Sequence, residues 1–370
     1  MIAIIISAII IAYVLLIMAF WIGWEKSPPC QGEKITQPRV SIIIAVRNEE
    51  KNITNLLSDI SNQSYPEHLI EVIIVNDHSS DLTVSKVEQF AKDTKFGLIL
   101  MNLEEDEGKK AAMHQGIKSS ISEIILTTDG DCRAESRWVE SMMSCLDNDE
   151  IQLVSGPVRM YPQTSLWQRL QSIEFSSLIS AGAATLTLGW PTMANAANLA
   201  YRKTAYLKMK GLSKKNISSG DDIFLLHEIS RSYSNGIVFC RDSKAIVNTE
   251  SSKALSSFYH QRKRWAGKWQ FYNDIPTILL AAFIFLVNLA FLFFPLLVLN
   301  NTLTPVLAAN LLVVKFVFEY LFLREVQKFF NSRLLLPEFT ILAIIYPAYV
   351  TFVALAGPLG KYKWKDRKTR

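Results

Sequence analysis

From Ile275 to Val314 the chain carries 40 consecutive residues without one charged side chain. A helix rises about 1.5 Å per residue and crosses a bilayer in about 20 apolar residues, so this stretch is long enough for more than one crossing. Asn300-Asn301 marks a turn inside it and divides it into the candidate spans Ile275–Leu299 and Pro305–Leu323. Pro337–Gly357 supplies a third. Buried core helices are the alternative, but the uncharged run is too long for that. The whole chain is 49% hydrophobic with a mean hydropathy of +0.17, which fits mixed soluble and membrane character.

The N-terminus repeats the pattern. Met1 to Gly23 holds no charge, and Glu25 is the first charged residue. A cleaved signal peptide would show a basic start and a shorter apolar core. Neither is present, so residues 1–24 read as an anchor, with Trp21 and Trp24 in the interfacial aromatic belt. The expected order is anchor (1–24), soluble domain (38–270), membrane or interfacial helices (275–357) and a basic tail (358–370).

Several function classes drop out early. The net charge of +5 is mild and no nucleic-acid-binding motif is present, so no nucleic-acid partner is expected. Cys30, Cys132, Cys145 and Cys240 are scattered without metal-ligand spacing and read as free thiols in a reducing compartment. The five histidines lack metal spacing too.

Between Val40 and Asp131 two kinds of segment alternate. "RVSIIIAV" (39–46), "EVIIV" (71–75), "GLILM" (97–101) and "EIILTT" (123–128) read as strands. Glu49–Asn62, Leu82–Lys92 and Lys109–Ser119 show apolar residues at helical spacing. Strands without polar alternation belong to parallel sheets covered on both faces, so a doubly wound, Rossmann-like α/β domain is expected. Such sheets bind ligands beyond the carboxyl ends of their strands. Three strand ends carry polar clusters: Arg47-Asn48-Glu49, the run Asn76 to Asp81, and Asp129-Gly130-Asp131.

The last cluster is the most informative. Carboxylates two residues apart in extended chain point to one side, and Gly130 between them leaves room for one hard cation such as Mg²⁺ or Mn²⁺. A solvated Asp-Gly turn is the bland alternative. No GxGxxG or GxxxxGK[ST] is present, so the dinucleotide and P-loop routes to phosphate are missing.

The ordered set "VSIIIAVRNEE" (40–50), "VNDHSSD" (75–81), "GKKAA" (108–112), the DxD at 129–131, "SGDD" (219–222) and "QRKRW" (261–265) resembles a membrane-bound family 2 glycosyltransferase with a GT-A fold. The resemblance covers roughly residues 38–270. It implies that Asp77 contacts the nucleobase with Arg47 and Glu49 lining the pocket, that Lys109 lies near the nucleotide, and that Asp129 and Asp131 hold the metal. It further implies that Asp222 is the catalytic base beside Asp221, and that Gln261, Arg264 and Trp265 clamp the acceptor and the diphosphate. "NAANLAYRK" (195–203) resembles an acceptor-side strand, with Asn195 and Asn198 facing the acceptor. Asn76 and His78 depart from the family's "DDGS", and His114 stands where Asn is frequent.

Some of these residues have plain structural alternatives. Asp221-Asp222 also suits a helix N-terminus. "QRKRWAGKW" also suits a basic membrane surface, with Lys263 and Lys268 in that role. The apolar but interrupted stretch 165–190 is either core or an interfacial helix, and the second is favoured.

The reaction expected is inverting, metal-dependent transfer of a sugar from a nucleotide-diphosphate sugar, a uridine one by the resemblance of Asp77, to a membrane-associated acceptor. Few spans favour a lipid over a growing polymer. A processive polysaccharide synthase is the alternative, and a non-catalytic nucleotide-sugar-binding membrane protein is the rival from another class. Cytosolic donors put the catalytic domain at the cytoplasmic face of the plasma membrane, and Lys34, Arg39, Arg262–Arg264 and Lys268 agree. The six basic residues of the tail would also suit that side, which conflicts with three C-terminal spans; Pro305–Leu323, holding Lys315 and Glu319, is the least apolar of these.

Overall fold

The computed structural model describes residues 1–27, 37–104, 107–208, 221–268, 272, 274–357, 362–364 and 367–369. Lys34, Cys30, Ser219, Gly220 and most of the basic tail lie outside the described residues, as does the side chain of Asp221.

The chain opens with α1 (Ile2–Lys26). The alternating segment follows as β1 (Val40–Val46), α2 (Ile53–Ser61), β2 (Ile70–Asn76), α3 (Thr83–Ala91), β3 (Gly97–Asn102), α4 (Lys109–Ser119) and β4 (Ile124–Thr127). Then come β5 (Arg133–Ala134), α5 (Trp138–Ser144), β6 (Leu153–Ser155), β7 (Val158–Met160) and α6 (Leu166–Thr187). β8 (Leu199–Arg202), α7 (Lys203–Leu207), α8 (Asp221–Ser232), β9 (Ile237–Phe239) and β10 (Val247–Thr249) complete the α/β part. α9 (Leu255–Ala266), α10 (Ile275–Leu299), α11 (Pro305–Phe329) and α12 (Leu336–Ala356) end the helical series.

These elements form two compact units. One comprises Ser27–Tyr161, Pro191–Glu250 and Lys365–Arg370. The other comprises Met1–Lys26, Pro162–Trp190 and Ser251–Trp364. The expected single block 38–270 is therefore divided: 162–190 and the residues from Ser251 pack with the membrane helices, because α6 and α9 bury their side chains among those helices.

The first unit is a mixed α/β, Rossmann-like GT-A fold. Its main sheet runs β3-β2-β1-β4-β8-β6-β9. β1 pairs in parallel with β2 and with β4, and β2 with β3. β8 is the reversed strand, antiparallel to β4 and β6. Strand alternation explains the core. Ile43, Ile73, Val75 and Ile125 turn to one face and join Ala112 and Ile117 of α4 with Leu225, Leu226 and Ile229 of α8. Their neighbours Ile42, Ile44, Val72, Ile74 and Leu126 turn to the other face and are equally buried. That double burial is why the strands show no polar alternation. α4 comes unusually close to the sheet: a Cβ on Gly116 would lie 2.6 Å from Ile43 Cγ2.

Asn198, expected on the acceptor side, is instead part of the core. It is fully buried. Its Oδ1 accepts from Trp138 Nε1 at 2.9 Å, and its Nδ2 donates to the carbonyls of Pro157 (2.9 Å) and Ala245 (2.8 Å). A buried amide needs such partners, and this one ties α5 to two loops. Cys132 and Cys240 are free and buried, but Cys145 is in a disulfide, which corrects the expectation of four free thiols.

Among the described residues, the second unit holds four helices long and apolar enough to cross a membrane: α1, α10, α11 and α12. α6 is their core partner. It packs against α1, α11 and α12, and 14 of its 22 residues are buried, so the plain-core alternative holds and not the interfacial one. Close approach is made possible by small residues, because a Cβ on Gly23 would lie 2.8 Å from the carbonyl oxygen of Ala184. Trp24 is also core. It is fully buried and meets Phe329 edge-on at 5.2 Å, so it does not belong to an interfacial belt.

The Gly23 contact generates a prediction. Gly23→Leu drives α1 off α6 and lowers stability by about 1–3 kcal/mol, the usual range for overpacking. Thermal unfolding of the detergent-solubilised protein should show this as a reduced Tm. Gly97→Ala, at a position where an added Cβ meets nothing within 4 Å, should leave the Tm unchanged.

Candidate active site

The site is built at the point where the strand order reverses. After β1 the chain steps outward through β2 to β3, then returns through α4 to β4 on the other side of β1. The loops leaving β1 and β4 therefore diverge and leave a crevice at the carboxyl edge. Gly130 shows how close the two ends lie. A Cβ there would sit 3.0 Å from Glu49 Cγ and 3.1 Å from Val46 Cγ1. The DxD is thus pressed against the end of β1 and against Glu49.

On the β1–β2 side, Asp77 is 2% exposed. Its N–H donates to the Val46 carbonyl at 2.8 Å, extending the β1–β2 ladder by one bond. Arg47 Nη1 donates to the Asp77 carbonyl at 2.9 Å and lies 3.8 Å from its Oδ1. His78 Nδ1 is 3.1 Å from the same Oδ1. The departure at His78 has a backbone explanation. Its φ is 55°, a left-handed conformation that glycine adopts freely and histidine adopts more readily than most residues. Asn76 serves as a tie: its Nδ2 donates to Asn102 Oδ1 at 2.9 Å, and its Oδ1 accepts from Ser79 N at 3.0 Å.

Glu49 is buried with a defined set of bonds. Its N–H donates to Thr83 Oγ1 at 2.8 Å, and its Oε2 accepts from Asn52 Nδ2 at 2.9 Å. Asp81 holds the neighbouring turn. Its carboxylate accepts from the N–H groups of Glu50 and Thr83 at 3.0 Å each, and from the Thr83 hydroxyl at 2.5 Å. Partial burial pushes the Asp81 carboxyl up, but these hydrogen bonds together outweigh it and hold it below the ordinary carboxylate range.

On the β4 side, Lys109 opens α4 after Gly108, whose φ of 97° favours glycine. Lys109 Nζ forms an ion pair with Asp129. The buried Cys132 thiol reports the charge of the DxD: burial first, then the negative charges of Asp131 and Asp129, raise it well above the usual thiol range. Among the described residues no group of three His, Cys, Asp or Glu side chains could hold a metal. The chain thus offers two carboxylates, which fits a divalent ion whose remaining ligands are oxygens from elsewhere.

The reversed β8 brings a third loop to this edge. Thr127 Oγ1 donates to the Ala196 carbonyl at 2.7 Å. Ala196 N donates in turn to Asp222 Oδ2 at 3.4 Å, and Asp222 Oδ1 accepts from Ile223 N at 2.9 Å. Asn195 Oδ1 accepts from Ala197 N at 3.0 Å and shapes that turn. Asp222, Asn195 and the end of β4 are therefore joined through Ala196. Asp221 begins α8.

Gln261, Arg264 and Trp265 belong to α9 in the other unit. There Gln261 Oε1 accepts from Arg262 Nη1 at 2.7 Å, and the Trp265 ring lies 4.2 Å from the Arg262 guanidinium. Arg262, one of the basic residues counted toward the cytoplasmic side, is 2% exposed and pairs with Glu174 of α6. Nothing in the spacing of the sequence links Glu174 to Arg262, 88 positions apart. The available signal was a lone carboxylate inside an apolar helix, which needs an internal partner.

Comparison with known proteins agrees with this architecture. Residues 41–208 match the family model described as Glycosyl transferase family 2. A glycosyltransferase of Haloferax volcanii, AglE, is 36% identical over 128 residues, covering 34% of this chain and 42% of the relative. The poly-β-1,6-N-acetyl-D-glucosamine synthase of Staphylococcus epidermidis is 30% identical over 141 residues, covering 38% of this chain and 33% of the relative. The chain thus spans less than half the length of these two curated relatives. The fold matches that of the mannosyltransferase PcManGT from Pyrobaculum calidifontis, solved in complex with GDP-Man and Mn²⁺, with a TM-score of 0.58 at 18% identity over 95% of this chain and 98% of that one. The chain thus has a GT-A fold in which residues 41–208 match the glycosyltransferase family 2 model, and it also carries candidate membrane helices.

The Asp81 bonds give a pH prediction. A carboxyl held low in the folded state stabilises it fully above its unfolded value of about 3.9, and that contribution disappears as pH falls through the folded value. Asp81→Asn should therefore lower stability at pH 7 by about 1 kcal/mol. The gap between Asp81→Asn and the unaltered protein should close below about pH 4. Paired unfolding midpoints across pH 3–7 check this.

Proposed function

We propose that this protein transfers a sugar from a nucleotide-diphosphate sugar to a membrane-associated acceptor, with a lipid as the favoured acceptor class. The observation that carries the reading is the DxD at the switch point, pressed against Glu49 and joined through Ala196 to Asp222. In this reading Asp77, Arg47 and Glu49 line the nucleobase pocket, and uridine is the favoured base. Asp129 and Asp131 would hold a divalent cation, Mg²⁺ or Mn²⁺. When bound, that ion supplies Lewis-acid stabilisation of the leaving charge. Lys109, paired with Asp129, is assigned by the motif to the nucleotide's phosphates. The Asp222 carboxylate takes the proton from the acceptor hydroxyl as the oxygen attacks. A single displacement of this kind inverts the anomeric carbon.

The motif assigns Gln261, Arg264 and Trp265 to the acceptor and the diphosphate. A guanidinium suits bidentate contact with phosphate oxygens, and an indole offers a flat face to a sugar ring. Asn195 remains an acceptor-side candidate, and Asp221 keeps that assignment from the motif. Asn198 is left out, because its amide is fully used inside the fold. With cytosolic donors the catalytic domain faces the cytoplasm, at the plasma membrane.

A second reading has its own support. A relative that matches at 30% identity is a polysaccharide synthase, so processive synthesis stays in view. The fold neighbour in complex with GDP-Man and Mn²⁺ makes Mn²⁺ the first metal to supply and GDP-mannose a donor to include.

The test uses membranes containing the full chain, or its Asp131→Ala or Asp222→Asn variant. They are incubated with Mn²⁺ and labelled UDP- and GDP-sugars, then partitioned between organic solvent and water. The expected result is label in the organic phase from the unaltered protein and a loss of roughly 100-fold or more in Asp222→Asn. Asp131→Ala should lose transfer by a similar factor, roughly, and lose its response to added Mn²⁺. Label in a large aqueous product would select the synthase reading. Equal label with and without Asp131 would remove the metal assignment.

A further inference from the structure

Arg262 is the buried residue of the QRKRW run, 2% exposed. It stands on α9 between Gln261 and the Arg264-Trp265 pair. Its Nη2 donates to Glu174 Oε2 on α6, and its Nη1 donates to Gln261 Oε1 at 2.7 Å. Its guanidinium carbon lies 4.2 Å from the Trp265 ring centre and 4.6 Å from that of Phe258. The Tyr349 hydroxyl of α12 donates to the other oxygen of Glu174 at 3.2 Å. Phe175, next to Glu174 on α6, packs on Trp265 with ring centres 5.8 Å apart.

This arrangement is a poor stabiliser by itself. Burying both charges offsets most of their attraction. Arg262 Nε is also buried without a hydrogen-bond partner among the described residues. What the arrangement supplies is orientation. A guanidinium only donates, so Gln261 must turn its amide oxygen inward and present its Nε2 donors away from Arg262. The same planar group holds the Trp265 indole by cation–π contact. A lysine could keep the charge but has neither the fork nor the flat face.

We propose that Arg262, clamped by Glu174 and steadied by Tyr349, is a positioning residue that sets the amide orientation of Gln261 and the ring orientation of Trp265. Its consequence for transfer rests on the glycosyltransferase reading above. Its geometry rests only on packing within one unit.

The experiment uses the full-length protein in detergent with its eight tryptophans replaced by 5-fluorotryptophan, and with the Trp265 ¹⁹F line assigned through Trp265→Phe. Arg262→Lys and Glu174→Gln are expected to move or broaden that line while the others stay in place. They should lower kcat by roughly 10- to 100-fold, the scale of a misplaced group, with the donor KM changed by less than about threefold. The double variant should lose no more than the worse single one, because the two side chains act as a unit. Tyr349→Phe, the mildest change, should move the line less and in the same direction. It decides the matter if the charge variants do not fold. An unmoved Trp265 line in the variants that fold overturns the proposal, and so does a moved line with unchanged kcat. If the unaltered protein transfers no sugar at all, the function reading fails and the ¹⁹F lines alone judge the geometry.

Discussion

Parallel pairing of β1 with β2 on one side and β4 on the other is the constraint from which the candidate site follows. Parallel neighbours end at the same edge, so Arg47, Glu49 and Asp77 leave the sheet beside Asp129 and Asp131. The reversed β8 adds to this in the opposite sense. Because it runs antiparallel to β4, with Thr127 opposite Leu199, it is the start of β8 that lies at this edge. That is how Asn195 and Ala196, which precede β8, reach the end of β4. It is also how Asp222, bonded to Ala196, joins them.

The charges at this edge are matched across elements. Asp77 at the end of β2 meets Arg47 at the end of β1, and Asp129 beyond β4 meets Lys109 at the start of α4. Each acid is thus satisfied by a base from a different strand–helix connection, so the loops hold one another in place. In the proposed reaction a diphosphate with its cation would offer the same charges in exchange: a cation for the carboxylates and an anion for the lysine. That exchange is consistent with the two-carboxylate donor set, which leaves most of a cation's ligands to come from elsewhere.

The first half of the α/β unit was legible in the sequence because its physics is local. "SIIIAV" and "EVIIV" lack polar alternation, which only strands covered on both faces can tolerate, and the intervening helices kept their apolar spacing. What escaped was set by partners distant in the chain. Asn198 looked like a polar residue in an acceptor strand, yet Trp138, Pro157 and Ala245 use its whole amide. Trp24 sat where interfacial tryptophans sit, yet Phe329 covers it. Arg262 looked like one of several basic residues before a span, and only the fold shows Glu174 against it. In each case the residue type was read correctly and its partners lay more than 40 positions away, where periodicity carries no information.

The same logic accounts for the charges carried by α11. Lys315 and Glu319 made this segment the least apolar candidate span, and charges facing lipid would argue against a crossing. One helical turn apart, they bond to each other at 2.7 Å, and Glu319 also accepts from the Tyr13 hydroxyl of α1. Lys315 lies 5.1 Å from the Phe291 ring centre of α10 and is itself 6% exposed. The pair therefore faces the interior of the bundle, where it links three helices. Even with both charges included, the most apolar 18-residue stretch of α11 has a mean hydropathy of 2.0, equal to that of α12. Internal pairing is what allows a helix to carry ionised groups at membrane depth. Two further pairs, Arg262–Glu174 and Arg169–Glu338, lie within this unit with both carboxylates buried. All three pairs are assembled from residues on facing surfaces or adjacent turns of these helices, and two of them bind α6, one to α9 and one to α12.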